Sequence, residues 1–406
     1  MKNILVLTYW SYKEPLIQSY TLPYLTIINK TLPIGSKIYL LTLEKKNYKL
    51  EAEELRKVKS ELKQNNIELI NHGYSKFGAK AIFKWILLLG ILVRLCKKSH
   101  IKYIHAWCTP AGSAGYLLSK ITSIPLIIDS YEPHAESMVE NGTWRKNSIA
   151  FKLLFFFEKK QSQRAIATIG LTKGMKEYAM RKYGVELKNY HIKPHCVDIG
   201  MFTLKAPRNE MLINELGLEG KIVCVYAGKI GGIYLEQEIF DFFKVASDYW
   251  NGKFKVLMLT NATKEIISKH ARNSNLSEAV ITSRFVEYKD IPQHLALADF
   301  ALNPVKPVPS KKYCTSIKDS EYWATGLPVV ITPNISDDSD TIEKNNIGAI
   351  IRGFNTKGYQ KAVHKIDKLL KSSQKDELRD KIRSIAKKHR SFTIAEKIYK
   401  DIYNKQ

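Results

Sequence analysis

Ile222-Val-Cys-Val-Tyr-Ala-Gly228-Lys229-Ile-Gly231-Gly232 is an apolar, partly β-branched run that stops at a glycine cluster carrying one lysine. A strand apolar along its whole length belongs in a parallel sheet covered on both faces. The following stretch, Glu236–Tyr249, has helical patterning, so the local order is strand, glycine turn, helix. The same order repeats outward. Downstream, strands are expected at Lys255–Leu259, Ala279–Ser283, Phe300–Pro304, Leu327–Thr332 and Gly348–Arg352. Upstream, they are expected at Ile4–Trp10, Lys37–Leu43, Ile67–Asn71, Tyr103–Trp107, Pro125–Ser130 and Ala165–Leu171, with a helix at Glu51–Gln64. Two such series predict an α/β chain of two Rossmann-like, doubly wound parallel-sheet domains.

The pattern breaks near 190–210, which sets the expected domains at 1–195 and 206–390, with a closing helix over 391–406. In that helix Thr393-Ile-Ala-Glu396 reads as a capping box, and Ile394, Ile398 and Ile402 share one face. A chain of 406 residues, 45% hydrophobic and 25% charged, builds such cores and is not globally disordered. Its five cysteines are widely spaced and form no metal-ligand pattern, so neither a disulfide framework nor a metal site is expected. The opening Met1–Trp10 run is too short for a signal peptide and reads as the first strand. No segment offers the roughly 18 apolar residues of a membrane span. A cytoplasmic chain, peripheral on the inner face of the membrane, is the expectation.

The 64 Lys+Arg against 39 Asp+Glu leave a net charge of +25, which calls for anionic partners. Residues 1–200 hold 31 of the cations and only 15 of the acids. No acid occurs between Glu68 and Asp129. On one helix from Lys76 to Lys102, at 100° per residue, Lys76, Lys80, Lys84, Arg94, Lys98 and Lys102 share a sector of about 80°. Leu87 and Ile91 fall in the middle of that sector. Apolar residues among cations fit an interfacial helix on an anionic membrane; the alternative is a helix covered by a neighbour such as Ile149–Phe157. No nucleic-acid module is visible, so nucleic acid is not expected as a partner.

In open parallel sheets, ligands bind beyond the carboxyl ends of strands, at helix N-termini. Gly228, Gly231 and Gly232 let backbone amides approach a phosphate, and Lys229 adds charge. At Ser316-Ile-Lys318-Asp-Ser-Glu321-Tyr-Trp-Ala-Thr-Gly326, a short helix should start near Ser316 and end at a left-handed Gly326. Lys318 in its first turn opposes the helix dipole, which an anionic ligand would explain. Glu321, three residues on, can face the same ligand and accept hydrogen bonds from a vicinal diol such as ribose. Ser336-Asp337-Asp338-Ser-Asp340 reads as caps and turn formers rather than metal ligands. In the first half, Asp129, Glu132 and His134 sit at the end of one expected strand, His105 within another, and Lys13–Tyr20 after the first.

Together these residues resemble the two-domain GT-B glycosyltransferases, specifically the large family-4 group of retaining enzymes. Glu321-Tyr-Trp-Ala-Thr-Gly326-Leu-Pro328-Val-Val resembles that family's Glu-x-x-Ala-x-Gly-x-Pro-Val signature. Ile192-Lys-Pro-His-Cys-Val197-Asp198-Ile-Gly-Met-Phe202 resembles its interdomain passage, and Tyr226-Ala-Gly228-Lys229 its donor glycine loop. The Tyr399-bearing helix resembles the one that crosses back to the first domain. Three departures stand out. Tyr313 occupies the place of an upstream glutamate, Tyr234 that of a second loop cation, and Glu14-Pro-Leu-Ile-Gln18 that of a glycine pair.

The resemblance implies an N-terminal acceptor domain and a C-terminal donor domain facing a cleft. It implies transfer of a sugar from a nucleoside-diphosphate sugar to a glycan or lipid-linked acceptor, as in bacterial surface polysaccharide or glycolipid synthesis. It implies a retaining outcome, no metal and no other cofactor. Lys229, Lys318 and the Gly228–Gly232 amides would stabilise the leaving phosphate, Glu321 would hold the ribose, and His134 would meet the sugar or acceptor. Closure about residues 195–205 would exclude water. Two other readings remain on the same fold: a nucleotide-sugar epimerase or phosphorylase, and a non-catalytic membrane- or glycan-binding scaffold.

Overall fold

Apolar runs dictate the frame. In the first sheet Ile4, Leu5 and Val6 are fully buried. In the second, Val223, Val225 and Ala227 enter one apolar cluster while Cys224 and Tyr226 enter another. That alternation is the period-two signature of a strand covered on both faces. The computed structural model describes residues 1–75, 79–187, 189–203 and 209–404, without the side chains of 79–82. Lys76, the Lys80 side chain, most of the polar stretch before Glu210, with residue 206 where the second domain was expected to begin, and the last two residues of the tail lie outside the described residues.

The chain forms two compact units, Met1–Lys193 with Thr393–Gln406, and Pro194–Phe392. The strands of the first are β1 (Asn3–Leu7), β2 (Ile38–Glu44), β3 (Ile67–Gly73), β4 (Ile101–Trp107), β5 (Leu126–Tyr131), β6 (Ala167–Gly170) and β7 (Tyr190–Ile192). They form one seven-stranded sheet in the order β3-β2-β1-β4-β5-β6-β7, parallel throughout. Val6 stands opposite Leu40 on one side and His105 on the other. The second unit holds β8 (Ile222–Ala227), β9 (Phe254–Leu259), β10 (Ile281–Arg284), β11 (Phe300–Asn303), β12 (Val329–Ile331) and β13 (Gly348–Ile350). Its order is β10-β9-β8-β11-β12-β13, again parallel. In both sheets the order reverses beside the first strand, the arrangement of a doubly wound fold.

Three expectations change. β7 was not anticipated, because three residues with one apolar side chain give no readable pattern. The basic helix spans Ala79–Lys98 rather than reaching Lys102, which lies on β4. His100, at φ +48°, marks the break. The last helix starts at Phe392, so Thr393 sits inside its first turn rather than at the cap.

That last helix is bound to the first sheet by a buried polar network. The Tyr399 hydroxyl donates to Asp129 Oδ2 at 2.8 Å, and the Tyr403 hydroxyl meets His105 Nδ1 at 2.6 Å. Lys193 Nζ lies 3.1 Å from Asp129 Oδ1, with both side chains fully buried. Burial alone would raise the Asp129 carboxyl; Lys193, His105 and Tyr399 outweigh it and hold it down at about 2. Asp129, a candidate by its place at a strand end, is thus committed to the architecture, and His105 is a satisfied buried residue, as its place within an apolar strand suggests. Tyr20, after the first strand, joins the same network through Ser130 at 2.8 Å and Lys193 at 3.2 Å.

Candidate functional site

The second unit assembles its candidate site where β8 ends. The Ala227 amide donates to the Tyr322 hydroxyl at 3.0 Å, which seats the helix Ile317–Ala324 beside the strand's carboxyl end. Ser316 occupies the cap of that helix, and Gly326 closes it at φ +75°. The N-terminal turn of that helix, which carries Lys318, therefore comes up to the glycine loop.

Gly228 has φ +139°, and a Cβ there would lie 2.6 Å from both Cε and Nζ of Lys318. The loop has no side chain at this point because the lysine crosses it. Lys318 is 8% exposed, and its Nζ has no hydrogen-bond acceptor among the described residues. Two tyrosine rings hold the ammonium instead: Tyr234, 3.4 Å from Nζ to centroid, and Tyr226, 4.8 Å. Cation–π contact offsets part of the lost hydration. Burial still dominates and lowers the lysine to about 7, against the opposing charges of Asp319 and Glu321.

Glu321 is buried on the same helix. Burial pushes its carboxyl up to about 8, although the Tyr288 hydroxyl and Lys318 pull the other way. Asp319 is pushed well above the usual carboxylate range by burial and by Asp338 beside it, and it accepts a hydrogen bond from Asn303 Nδ2 at 2.8 Å. Asp338 is paired with Arg390 and so serves packing at the start of the Asp338–Asn345 helix, whereas Asp337 and Asp340 are exposed. Among the described residues, no cluster of three or more His, Cys, Asp or Glu is placed to hold a metal ion.

The remaining predicted residues fall as follows. Lys229 is exposed on the loop, and its carbonyl accepts from the Tyr226 hydroxyl. Gly231, at φ +81°, has its open side filled by the Glu236 carboxyl at 2.7 Å, whereas Gly232, at φ +67°, faces open space. The Ser316 amide meets Asp338 Oδ2 at 3.4 Å. The structure thus brings Gly228, Lys229, Ser316, Lys318 and Glu321 into one neighbourhood. His134 is in the other unit, half-buried at the start of the His134–Glu140 helix, with Nδ1 3.2 Å from Glu132 Oε1. Tyr226, Tyr234 and Tyr288 were not anticipated as part of the site. Tyr234 stands out in the sequence only as a missing cation, and the signal that points to it is Lys318 itself, a lysine on a buried helix that needs a face to rest on.

Chemically, the arrangement is a buried ammonium whose Nζ has no hydrogen-bond acceptor among the described residues, with a glycine loop and a helix N-terminus around one point and a carboxyl alongside that burial raises. That set suits a phosphate ester with a hydroxylated group next to it.

No protein-family model matches this sequence, and no curated protein matches it. Solved structures do match its fold along its whole length. Anabaena HepE in complex with UDP-glucose is 15% identical, with a TM-score of 0.73, covering 100% of both chains. A glycosyltransferase from Rickettsia africae is 12% identical, with a TM-score of 0.73, covering 100% of this chain and 98% of that one. WaaG, a glycosyltransferase involved in lipopolysaccharide biosynthesis, is 13% identical, with a TM-score of 0.69, covering 100% of both. At these identities the likeness establishes the fold: two Rossmann-like domains of the GT-B kind, as the sequence led one to expect.

Proposed function

We propose that the protein is a glycosyltransferase of the hexosyltransferase type, which moves a sugar from a nucleoside-diphosphate sugar to a glycan or lipid-linked acceptor. The observation that carries this reading is the Lys318 ammonium, buried over Gly228 on two tyrosine rings with no acceptor among the described residues. A buried cation is costly unless an anion joins it, and the glycine loop and helix N-terminus add further attraction for phosphate. Sugar transfer builds negative charge on the departing pyrophosphate, and fixed positive charge there is the protein's largest lever. Lys318, Lys229 and the loop amides supply it, so the reading assigns no metal and no resident cofactor. Glu321 takes the ribose hydroxyls and Ser316 stands at the helix cap beside the phosphates, while His134 is assigned to the sugar or acceptor through the likeness to family-4 enzymes alone. The retaining outcome belongs to this reading through its likeness to family-4 enzymes. Neighbours of the same fold that bind UDP-glucose or serve lipopolysaccharide synthesis support a role in surface polysaccharide or glycolipid assembly at the cytoplasmic face of the membrane.

The test is thermal shift with UDP and GDP, followed by a nucleotide-sugar screen. At least one diphosphate should stabilise the chain, and free diphosphate should be released from the matching nucleotide sugar when acceptor is added. No stabilisation at millimolar diphosphate would leave the scaffold reading standing. Release that does not depend on acceptor would favour an epimerase or phosphorylase.

A further inference from the structure

In the first unit, three neighbouring helices leave apolar side chains in water. On Ala79–Lys98, Leu87 and Ile91 are 51% and 48% exposed. On Thr109–Thr122, Leu117 and Ile121 are exposed, and on Ile149–Arg164, Leu153 and Phe156. Each pair is three or four residues apart, so each marks the outward face of its helix. The covered-helix alternative for Leu87 and Ile91 is not what the structure shows.

These faces belong to one layer. The three helices occupy the successive crossovers from β3 to β4, β5 and β6, which run in one direction across the sheet and so place them on one side of it. The middle helix packs against both of the others. Its contact with Ile149–Arg164 is close: a Cβ at Gly112 would overlap Gln161, and Gln161 Nε2 donates to the Thr109 carbonyl at 3.1 Å.

The exposed charge on these three helices has one sign. Lys84, Arg94, Lys98, Lys120 and Lys152 are exposed on them. Ala79–Lys98 and Thr109–Thr122 carry no acid, and the one acid of Ile149–Arg164, Glu158, is fully buried between the Ala135 amide and the Tyr183 hydroxyl. Two copies paired on this face about a two-fold axis would set cations against cations. An anionic bilayer meets both demands: acyl chains for the apolar side chains and phosphates for the lysines. Among the described residues no helix is long and apolar enough to cross a membrane, so the contact is a surface one.

We propose that these three helices together form a docking face for an anionic lipid bilayer, with the apolar residues of all three dipping among the acyl chains. This deepens the reading of a lipid-linked acceptor, but it rests on residues apart from the donor loops. The experiment is flotation of the full chain with vesicles of phosphatidylcholine alone and of phosphatidylcholine mixed with phosphatidylglycerol. Wild type should partition at least about tenfold more strongly into the anionic vesicles and lose that preference in high salt. The variant Lys84→Glu/Arg94→Glu/Lys98→Glu should lose it. So should Ile121→Asp/Phe156→Asp, which leaves Ala79–Lys98 untouched. UDP stabilisation should persist in both, which separates failure of docking from failure of the donor reading. In wild type, amide exchange should slow in all three helices when anionic vesicles are added. No binding by wild type, full binding by Ile121→Asp/Phe156→Asp, or a dimer that this variant dissociates would overturn the proposal.

Discussion

Lys193 and Lys318 are both buried lysines seated on aromatic rings, one in each unit. Lys193 has Tyr24 at 3.7 Å and Trp107 at 5.5 Å, together with the Asp129 carboxylate at 3.1 Å. Lys318 has Tyr234 and Tyr226, but its Nζ has no hydrogen-bond acceptor among the described residues. The first lysine completes its own circuit and holds the last helix and β5 in one network. The second is held in place and left electrically incomplete. A fold that needed only packing would place methionine or leucine over Gly228, because an uncompensated buried ammonium costs stability. The difference between the two sites therefore separates architecture from function more sharply than burial or charge alone.

The comparison breaks most visibly in stability. Lys193→Met leaves Asp129 buried beside His105 without its lysine, and urea unfolding should show a loss of about 3–5 kcal/mol. A loss near zero would mean that the network is dispensable. Acidity comes next. The buried Lys318 titrates near 7 when unoccupied, and a diphosphate favours its charged form. Affinity for UDP should then be flat with respect to this lysine below pH 7 and fall by up to about tenfold per unit above it. Glu321, raised to about 8, ionises over the same window and adds to the fall. Titration calorimetry should record net proton uptake at pH 8, and affinity rising with pH would contradict this.

Glu321 sharpens the contrast further. Because its carboxyl is largely neutral at pH 7, Glu321→Gln should bind UDP within a few-fold of wild type, whereas Glu321→Ala should lose about tenfold. Equal losses in the two variants would argue that a carboxylate, not a neutral hydrogen-bonding group, is required. The smallest effect belongs to the ring beneath the cation. Tyr234→Phe should be silent, and Tyr234→Leu should weaken UDP binding by about fivefold through the lost cation–π contact. Similar losses in both would place the role in the hydroxyl.

Both sheets were legible because their strands are apolar runs separated by helical patterns; β8 shows this at Val223–Tyr226, where each side chain is buried. β7 was not, since Tyr190–Ile192 is an edge strand that owes its place to pairing with β6 rather than to composition. The helix around Lys318 was readable to within a residue, from Ser316 to Gly326, because caps leave local signatures. That Lys318 would lie across Gly228 was not readable, since the two are ninety positions apart and meet only when β8 and the Ile317–Ala324 helix are packed. Tyr234 was read as the loss of a cation. The structure shows a ring that supports a cation supplied from elsewhere, a substitution of means that position-by-position reading does not register.

Lys318→Met tests the central claim most directly, by calorimetry with UDP at pH 7 alongside the melting temperature of the free protein. The account predicts that UDP affinity falls about 100-fold while the free protein melts at the same temperature or higher, because an uncompensated buried charge has gone. Undiminished UDP binding in Lys318→Met, or a marked drop in its melting temperature, would contradict it.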